Sequence, residues 1–265
     1  MSVRQITSLT NATVKAVRAL HQRRERQQTG LFLVEGLRSV SEAVDLGQRP
    51  EILLFGGRVA DHPRLESVAR LARDAIEVSE DILAKVSRRD NPQTVIGVFR
   101  QTRRQLLEVD PHSADLWVGL EQVRDPGNLG TIVRTADAAG LGGVILIGEC
   151  CDAFSVEAVR ATMGSIFAIP IIETSLEAFL RWRSAWPGAV VGAHLRATTD
   201  FRAHPYRAPT LILMGNEQAG LSEEATSACD VCVRIPMRGR ADSLNLAVAT
   251  GVLVFAASSS LESPL

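Results

Sequence analysis

Two α/β domains are expected from this sequence: a small one over residues 1–104 and a larger one over 114–265, joined by a linker at 105–113. Three observations predict them. After residue 114, apolar strands without polar alternation recur between helical stretches, the pattern of a parallel sheet covered on both faces. Before residue 100, shorter strands alternate with helices, as in a small α/β sandwich. Between the two, 101–113 is polar, charged and holds Pro111, which suits a connection better than a core.

In chain order, Ile6 to Lys15 leads into a helix with Val14, Val17 and Leu20 on one face and a basic end at Arg18, Arg23, Arg24 and Arg26. Leu31-Phe32-Leu33-Val34 is a β-rich strand, and a helix begins after Glu35-Gly36. Strands over 51–55 and 75–78 alternate with helices over 62–73 and 79–86, and a turn at Asn91-Pro92 opens the strand 95–99. In the second half, strands are expected at 116–120, 144–147, 168–172, 190–195 and 211–214. Helices start at Asn128, near 154–163 and at Leu176. Val231 to Ile235 alternates and is β-rich, so it reads as a strand that Pro236 ends. The run from Leu246 is helical, with Asp242 or Ser243 as its cap.

At 265 residues and 46% hydrophobic, the chain is long enough for one large core or two modest ones. No apolar run reaches membrane-spanning length and the polar start lacks signal-peptide character, so no membrane role is expected and a cytoplasmic location fits. Cys229 and Cys232 have CxxC spacing, but no second CxxC or nearby His completes a zinc tetrad. No metal is expected, and the four cysteines read as buried free thiols. The formal net charge of −1 hides an asymmetry. Residues 1–104 carry 18 Lys+Arg against 12 Asp+Glu, a net of +6, and the remainder carries 11 against 18, a net of −7. A basic half joined to an acidic half suggests that the first half holds a polyanion.

Three stretches carry the chemistry. Asp125-Pro126-Gly127-Asn128 to Ala136 and Leu213-Met214-Gly215-Asn216-Glu217-Gln218-Ala219-Gly220 each run from an apolar strand through a Gly-rich turn toward a helix. That arrangement turns backbone N–H groups toward a ligand at the carboxyl ends of strands. The third, Ile235-Pro236-Met237 to Ser243-Leu244-Asn245, opens an apolar helix with polar residues, which a core tolerates only with partners. GxGxxG and the P-loop Lys are both missing, which argues against NAD chemistry and nucleotide hydrolysis. In order and spacing the three stretches resemble the motifs of the SpoU (TrmH-like) RNA ribose 2′-O-methyltransferases, of the SPOUT class. The "FLVEG" at 32–36 is similar to that family's N-terminal substrate-binding domain, a ribosomal-protein-like α/β fold.

The resemblance implies an S-adenosylmethionine-dependent methyltransferase whose C-terminal domain holds a trefoil knot and which works as a homodimer. Its cofactor would contact Leu195, Met214, Gly215, Asn216, Glu217, Gly220, Ile235, Met237, Ser243 and Leu244, with backbone groups reading the adenine. Arg134 would activate the ribose 2′-hydroxyl, with Asn128, Ser243 and Asn245 nearby. Asn128 reads as a helix cap, a ligand, or both. Arg134 lies among Ile132, Val133 and Ala136, where an unpaired guanidinium would be costly, and an RNA phosphate would resolve that cost. Because a guanidinium stays protonated, it is better suited to polarising the hydroxyl or holding phosphate than to removing a proton. Whether it serves its own site or the partner's is left open. RNA contacts are expected from Lys15, Arg23, Arg24, Arg26, Arg38, Arg88 and Arg89, with Arg238 and Arg240 as local attractors. Ribosomal RNA is preferred as substrate; transfer RNA, or a non-catalytic ribosome-assembly role, is the alternative. Glu121 reads as structural, and His194 as a satisfied loop histidine.

Overall fold

The computed structural model describes residues 4–88 and 92–262 and divides into two compact units. Arg89, one of the expected RNA contacts, lies outside the described residues. Among the described residues no helix is long and apolar enough to cross a membrane, and no group of three or more His, Cys, Asp or Glu could hold a metal ion.

The first unit holds 1–101 together with 154–167. Its chain runs β1 (Arg4–Ile6), α1 (Ala12–Ala19), α2 (Arg23–Thr29), β2 (Leu31–Glu35), α3 (Leu37–Asp45), β3 (Ile52–Gly56), α4 (Pro63–Leu71), β4 (Ala75–Val78), α5 (Glu80–Ser87) and β5 (Val95–Arg100). The strands form a five-stranded sheet in the order β1-β4-β3-β5-β2, antiparallel only where β5 meets β3 and β2. Val14 and Val17 enter the core with Leu33, Leu54, Ile76 and Ile96, which explains the apolar face of α1. The basic end of that helix is a separate one. The chain breaks at Leu20, and Arg26 turns inward, 4% exposed, to donate to the Leu20 carbonyl at 2.7 Å.

The second unit begins with β6 (Arg103–Arg104), β7 (Leu116–Glu121), α6 (Pro126–Ala138) and β8 (Val144–Ile147). The chain then supplies α7 (Val156–Thr162) to the first unit and returns as β9 (Ile171–Thr174), α8 (Leu176–Arg183), β10 (Ala189–Ala193), β11 (Thr199–Asp200), β12 (Thr210–Met214), α9 (Glu223–Ser227), β13 (Val231–Arg234) and α10 (Leu246–Glu262). Its eight strands pair in the order β11-β13-β10-β12-β7-β8-β9-β6, every pair parallel. Every residue of β7 and β12 is buried, the reason these strands show no polar alternation. From β7 the order runs one way through β8 and β9, and β10, β12 and β13 lie on the other side. Ligands bind at such a reversal, outside the carboxyl ends of the strands.

Three expectations need correction. The stretch read as a linker at 105–113 holds two short 3-10 turns and buries Leu106 in the core of the second unit. The segment 154–167 belongs to the first unit, where Phe154 stacks edge-on against Phe32 at 5.0 Å and Phe167 against Phe99 at 5.0 Å. A buried Glu35 holds it through Arg160 at 2.7 Å. A helix read from periodicity alone carries no label for the sheet it joins. The cysteines are free, but only Cys150 is buried; Cys151, Cys229 and Cys232 are half-buried. Burial, with Cys232 beside it, pushes the Cys229 thiol up to about 12.

Candidate active site

The Gly-rich turn after β12 is built by backbone crossing itself. A Cβ on Gly215 would lie 2.0 Å from the Gly220 carbonyl carbon and 2.1 Å from Leu221 N, so only glycine fits. Asn216 and Gly220 exchange both backbone hydrogen bonds at 3.0 Å, and Gly220 takes φ +72°. The Asn216 side chain staples the turn. Its Oδ1 accepts from Gln218 N at 2.9 Å and Ala219 N at 3.1 Å, and its Nδ2 donates to the Gln122 carbonyl at 2.9 Å.

This turn presents Glu217 to the start of α6. One carboxylate oxygen accepts from Asp125 N at 3.1 Å and Asn128 Nδ2 at 3.2 Å, and the other from Arg124 N at 3.2 Å. Partial burial pushes this carboxyl up, but the hydrogen bonds from Asp125, Asn128 and Arg124 outweigh it and hold the group below its ordinary value. Asn128 Oδ1 then accepts from Asn245 Nδ2 at 2.8 Å, and Asn245 Oδ1 accepts from Ala247 N at 2.9 Å and Val248 N at 3.3 Å. The polarity of this relay is dictated at both ends. An ionised carboxylate only accepts and helix N–H groups only donate, so each amide between them has one orientation. The caps differ from expectation: Asp125, not Asn128, caps α6 by accepting from Asn128 N, and Asn245 rather than Asp242 or Ser243 caps α10. Three motifs distant in sequence are thereby joined.

A cavity of about 180 Å³ opens at the carboxyl ends of β10, β12 and β13. All ten residues expected at the cofactor line it: Leu195, Met214, Gly215, Asn216, Glu217, Gly220, Ile235, Met237, Ser243 and Leu244. Its wall also includes residues the sequence reading passed over, among them Arg234 at the end of β13 and Leu246, Ala249 and Leu253 on the inner face of α10. Their i, i+3, i+7 spacing was the available signal. His194 lines the cavity and accepts from Arg196 N at 3.1 Å through Nδ1, a satisfied loop histidine at a functional edge. Glu121 is structural: it is 3% exposed, and its two oxygens take Ser222 N at 2.8 Å and Ser222 Oγ at 2.6 Å at the cap of α9.

Of the four residues expected to be catalytic, Asn128 and Asn245 bond to each other and Ser243 lines the cavity. Arg134 does not join them. Six residues along α6 it is about 9 Å up the axis and about 240° around it, and it is exposed rather than packed with Ile132, Val133 and Ala136. The burial argument for Arg134 therefore fails. Among the basic residues of the first unit, Lys15, Arg23, Arg24 and Arg88 are exposed, and Arg38 is exposed but paired with Glu42 at 2.9 Å. Arg26 is withdrawn from the expected RNA contacts because it is buried.

Comparison with known proteins fits this geometry. Residues 115–255 match the SpoU rRNA Methylase family and residues 11–97 an MRM3-like substrate binding domain. The chain belongs to the SpoU rRNA methylase family. Among its relatives is the 23S rRNA (guanosine(2553)-2′-O)-methyltransferase RlmP of Bacillus subtilis, 34% identical across 96% of this chain and 98% of that protein. An AdoMet-bound rRNA methyltransferase from Sinorhizobium meliloti superposes with a TM-score of 0.92 at 47% identity, covering 98% of this chain and 99% of the other. The SpoU methyltransferase AviRb from Streptomyces viridochromogenes superposes at 0.85 with 32% identity, covering 94% and 97%.

Proposed function

We propose that this chain is an S-adenosylmethionine-dependent methyltransferase acting on the ribose 2′-oxygen of ribosomal RNA. The observation that carries this reading is the cavity itself, in which residues of the second and third motifs converge while the Glu217–Asn128–Asn245 relay ties the first motif to them. Its lining suits the cofactor: Leu195, Met214, Ile235 and Leu244 offer apolar surface for an adenine, and the turn from Gly215 to Gly220 offers backbone polar groups. S-adenosylmethionine supplies an activated methyl group on a sulfonium. The chain's own work is alignment, which accounts for most of the acceleration when the transfer is already downhill. Ser243 and Asn245 orient the ribose, Asn128 keeps the Asn245 amide in one orientation, and Arg134 grips an adjacent phosphate and stabilises charge developing on the 2′-oxygen.

Because Arg134 is exposed on α6, we assign it to a homodimer in which it completes the partner's site. α10 supports this: Val248 and Phe255, seven apart on one stripe, are 53% and 50% exposed. A knotted C-terminal unit and a cytoplasmic location, where ribosomal RNA is found, belong to the same reading, as does an RNA-selecting role for the basic first unit. Titration calorimetry with S-adenosylmethionine, followed by transfer of labelled methyl to in vitro-transcribed 23S rRNA, tests the activity. Binding without transfer to that RNA would shift the substrate toward transfer RNA, and neither binding nor transfer would leave an RNA-binding protein. A monomer by light scattering would remove the assignment of Arg134 to the partner's site.

A further inference from the structure

Arginines account for all eleven cationic Lys or Arg side chains after residue 104, and most of those remote from the cavity are neutralised. Arg181 pairs with Glu177 at 2.5 Å, Arg183 with Asp230 at 2.5 Å, and Arg202 with Asp200 at 2.6 Å. Arg160, in the segment given to the first unit, pairs with Glu35 at 2.7 Å. At the cavity mouth the pattern stops. Arg234 lies in the wall, Arg196 follows the lining residue Leu195, and Arg238 and Arg240 sit between the lining residues Met237 and Ser243. All four are exposed, and among the described residues none has a carboxylate within 4.0 Å. Asp200, which pairs in register with Arg234 across β11 and β13, has its carboxylate already committed to Arg202. Gly239 between the loop arginines has open space where a Cβ would be, so another backbone can approach closely.

Four unpaired guanidinium groups around one mouth, in a part of the chain that is net acidic, call for an anionic ligand. A single cofactor carboxylate, with two acceptor oxygens, cannot satisfy four forked guanidinium groups. A polynucleotide strand can, since a phosphate flanks each ribose on either side. We propose, building on the methyltransferase reading, that Arg196, Arg234, Arg238 and Arg240 form a phosphate-gripping rim that seats the RNA backbone on both sides of the target ribose. They are positioning residues. They hold the strand while the 2′-hydroxyl enters the cavity, so their loss weakens RNA binding and leaves cofactor binding alone.

The test compares R238A/R240A, R238K/R240K and R207A with wild type on in vitro-transcribed 23S rRNA. Arg207 is a fit control because it is likewise exposed but precedes β12, at the end of the sheet away from the cavity. For R238A/R240A the KM for RNA should rise by about tenfold or more, with kcat within about twofold and unchanged S-adenosylmethionine affinity. The slope of log K against log salt in filter binding should shrink by about 0.7 for each arginine removed. The lysine pair should recover most of that slope, because phosphate attraction needs only charge, and R207A should match wild type. An unchanged KM and slope in R238A/R240A overturns the proposal, as does an equal effect from R207A. A parallel loss of cofactor affinity reassigns the rim to the cofactor carboxylate and also overturns it. Absent transfer by wild type would defeat the methyltransferase reading separately, while the filter-binding slopes still decide the rim.

Discussion

The two units handle their polar residues in opposite ways. In the second, Glu217, Asn128, Asn216 and Asn245 are spent on one another and on backbone groups beside the cavity. In the first, the side chains expected to meet RNA stand apart on the surface: Lys15, Arg23 and Arg24 are exposed, and their action would be electrostatic. Chained hydrogen bonds have one arrangement that works, so damage should be steep and local. Separate surface charges add, so damage there should be graded and suppressed by salt.

The largest effect should come from Gly215→Val. Its side chain would occupy space already held by Gly220 and Leu221, so the turn must open and S-adenosylmethionine binding should be lost in calorimetry. Unaltered affinity in a variant that melts like wild type would remove this turn from the site. Next is Arg134→Ala, which should abolish methyl transfer with cofactor affinity nearly intact, and Arg134→Lys should also transfer poorly because a point charge lacks the planar fork. Robust turnover of the lysine variant would leave Arg134 an electrostatic role alone.

Asn128→Asp sharpens the contrast. It sets a second carboxylate against Glu217 where an amide now donates at 3.2 Å, at a cost of roughly 1–3 kcal/mol at neutral pH. The wild-type contribution of Glu217 has the opposite pH dependence. Its folded pKa is depressed, so the stabilisation is complete above the ordinary value of 4.5 and disappears as pH falls through the folded value. Urea midpoints at pH 7.5 and pH 4 should therefore converge between Asn128→Asp and wild type. A constant gap across that range would show that the relay is electrostatically inert.

Smallest and most graded should be Arg23→Glu with Arg24→Glu. RNA affinity should drop severalfold at low salt and recover toward wild type's as salt rises, with cofactor affinity untouched. Arg26→Ala is its internal contrast. The side chain is buried on the Leu20 carbonyl, so the variant should lose about 1–3 kcal/mol of stability without a specific RNA defect. If Arg26→Ala weakened RNA binding at unchanged stability, the division between buried and surface charge in the first unit would be wrong. Deleting residues 1–104 is a poor way to separate the units. It would strip Phe154 and Phe167 of the Phe32 and Phe99 rings they pack against.

The ten cavity residues were named from the resemblance to the SpoU motifs, and those motifs were legible because their signals are local. A glycine needed for a tight turn, a proline ending a strand and polar groups opening an apolar helix are visible within a few positions. Elements of the regular kind were equally legible: 75–78 and 144–147 are strands with the expected bounds. Arg134 was misjudged for the same reason that the others succeeded. Its apolar neighbours in sequence lie on another face of α6, since at about 3.6 residues per turn successive side chains point roughly 100° apart. The polar stretch 105–113 looked like a linker because one buried residue, Leu106, among charged ones leaves no periodic pattern.

By itself the sequence determined the kinds of element, the acidic and basic halves, and the short motifs on which the resemblance rests, because propensity, charge and turn chemistry are properties of short stretches. Only the tertiary structure decided that Asp125 and Asn245 are the caps, that Glu217 fixes the amide of Asn128, that 154–167 packs in the first unit, and which arginines go unpaired. The caps are closed by partners two or three positions away, but the relay joins residues 89 and 117 positions apart, Asn128 to Glu217 and Asn128 to Asn245. A hydrogen bond is decided by distance and direction in space, and one chain position says nothing of either until the fold brings its partner within about 3 Å.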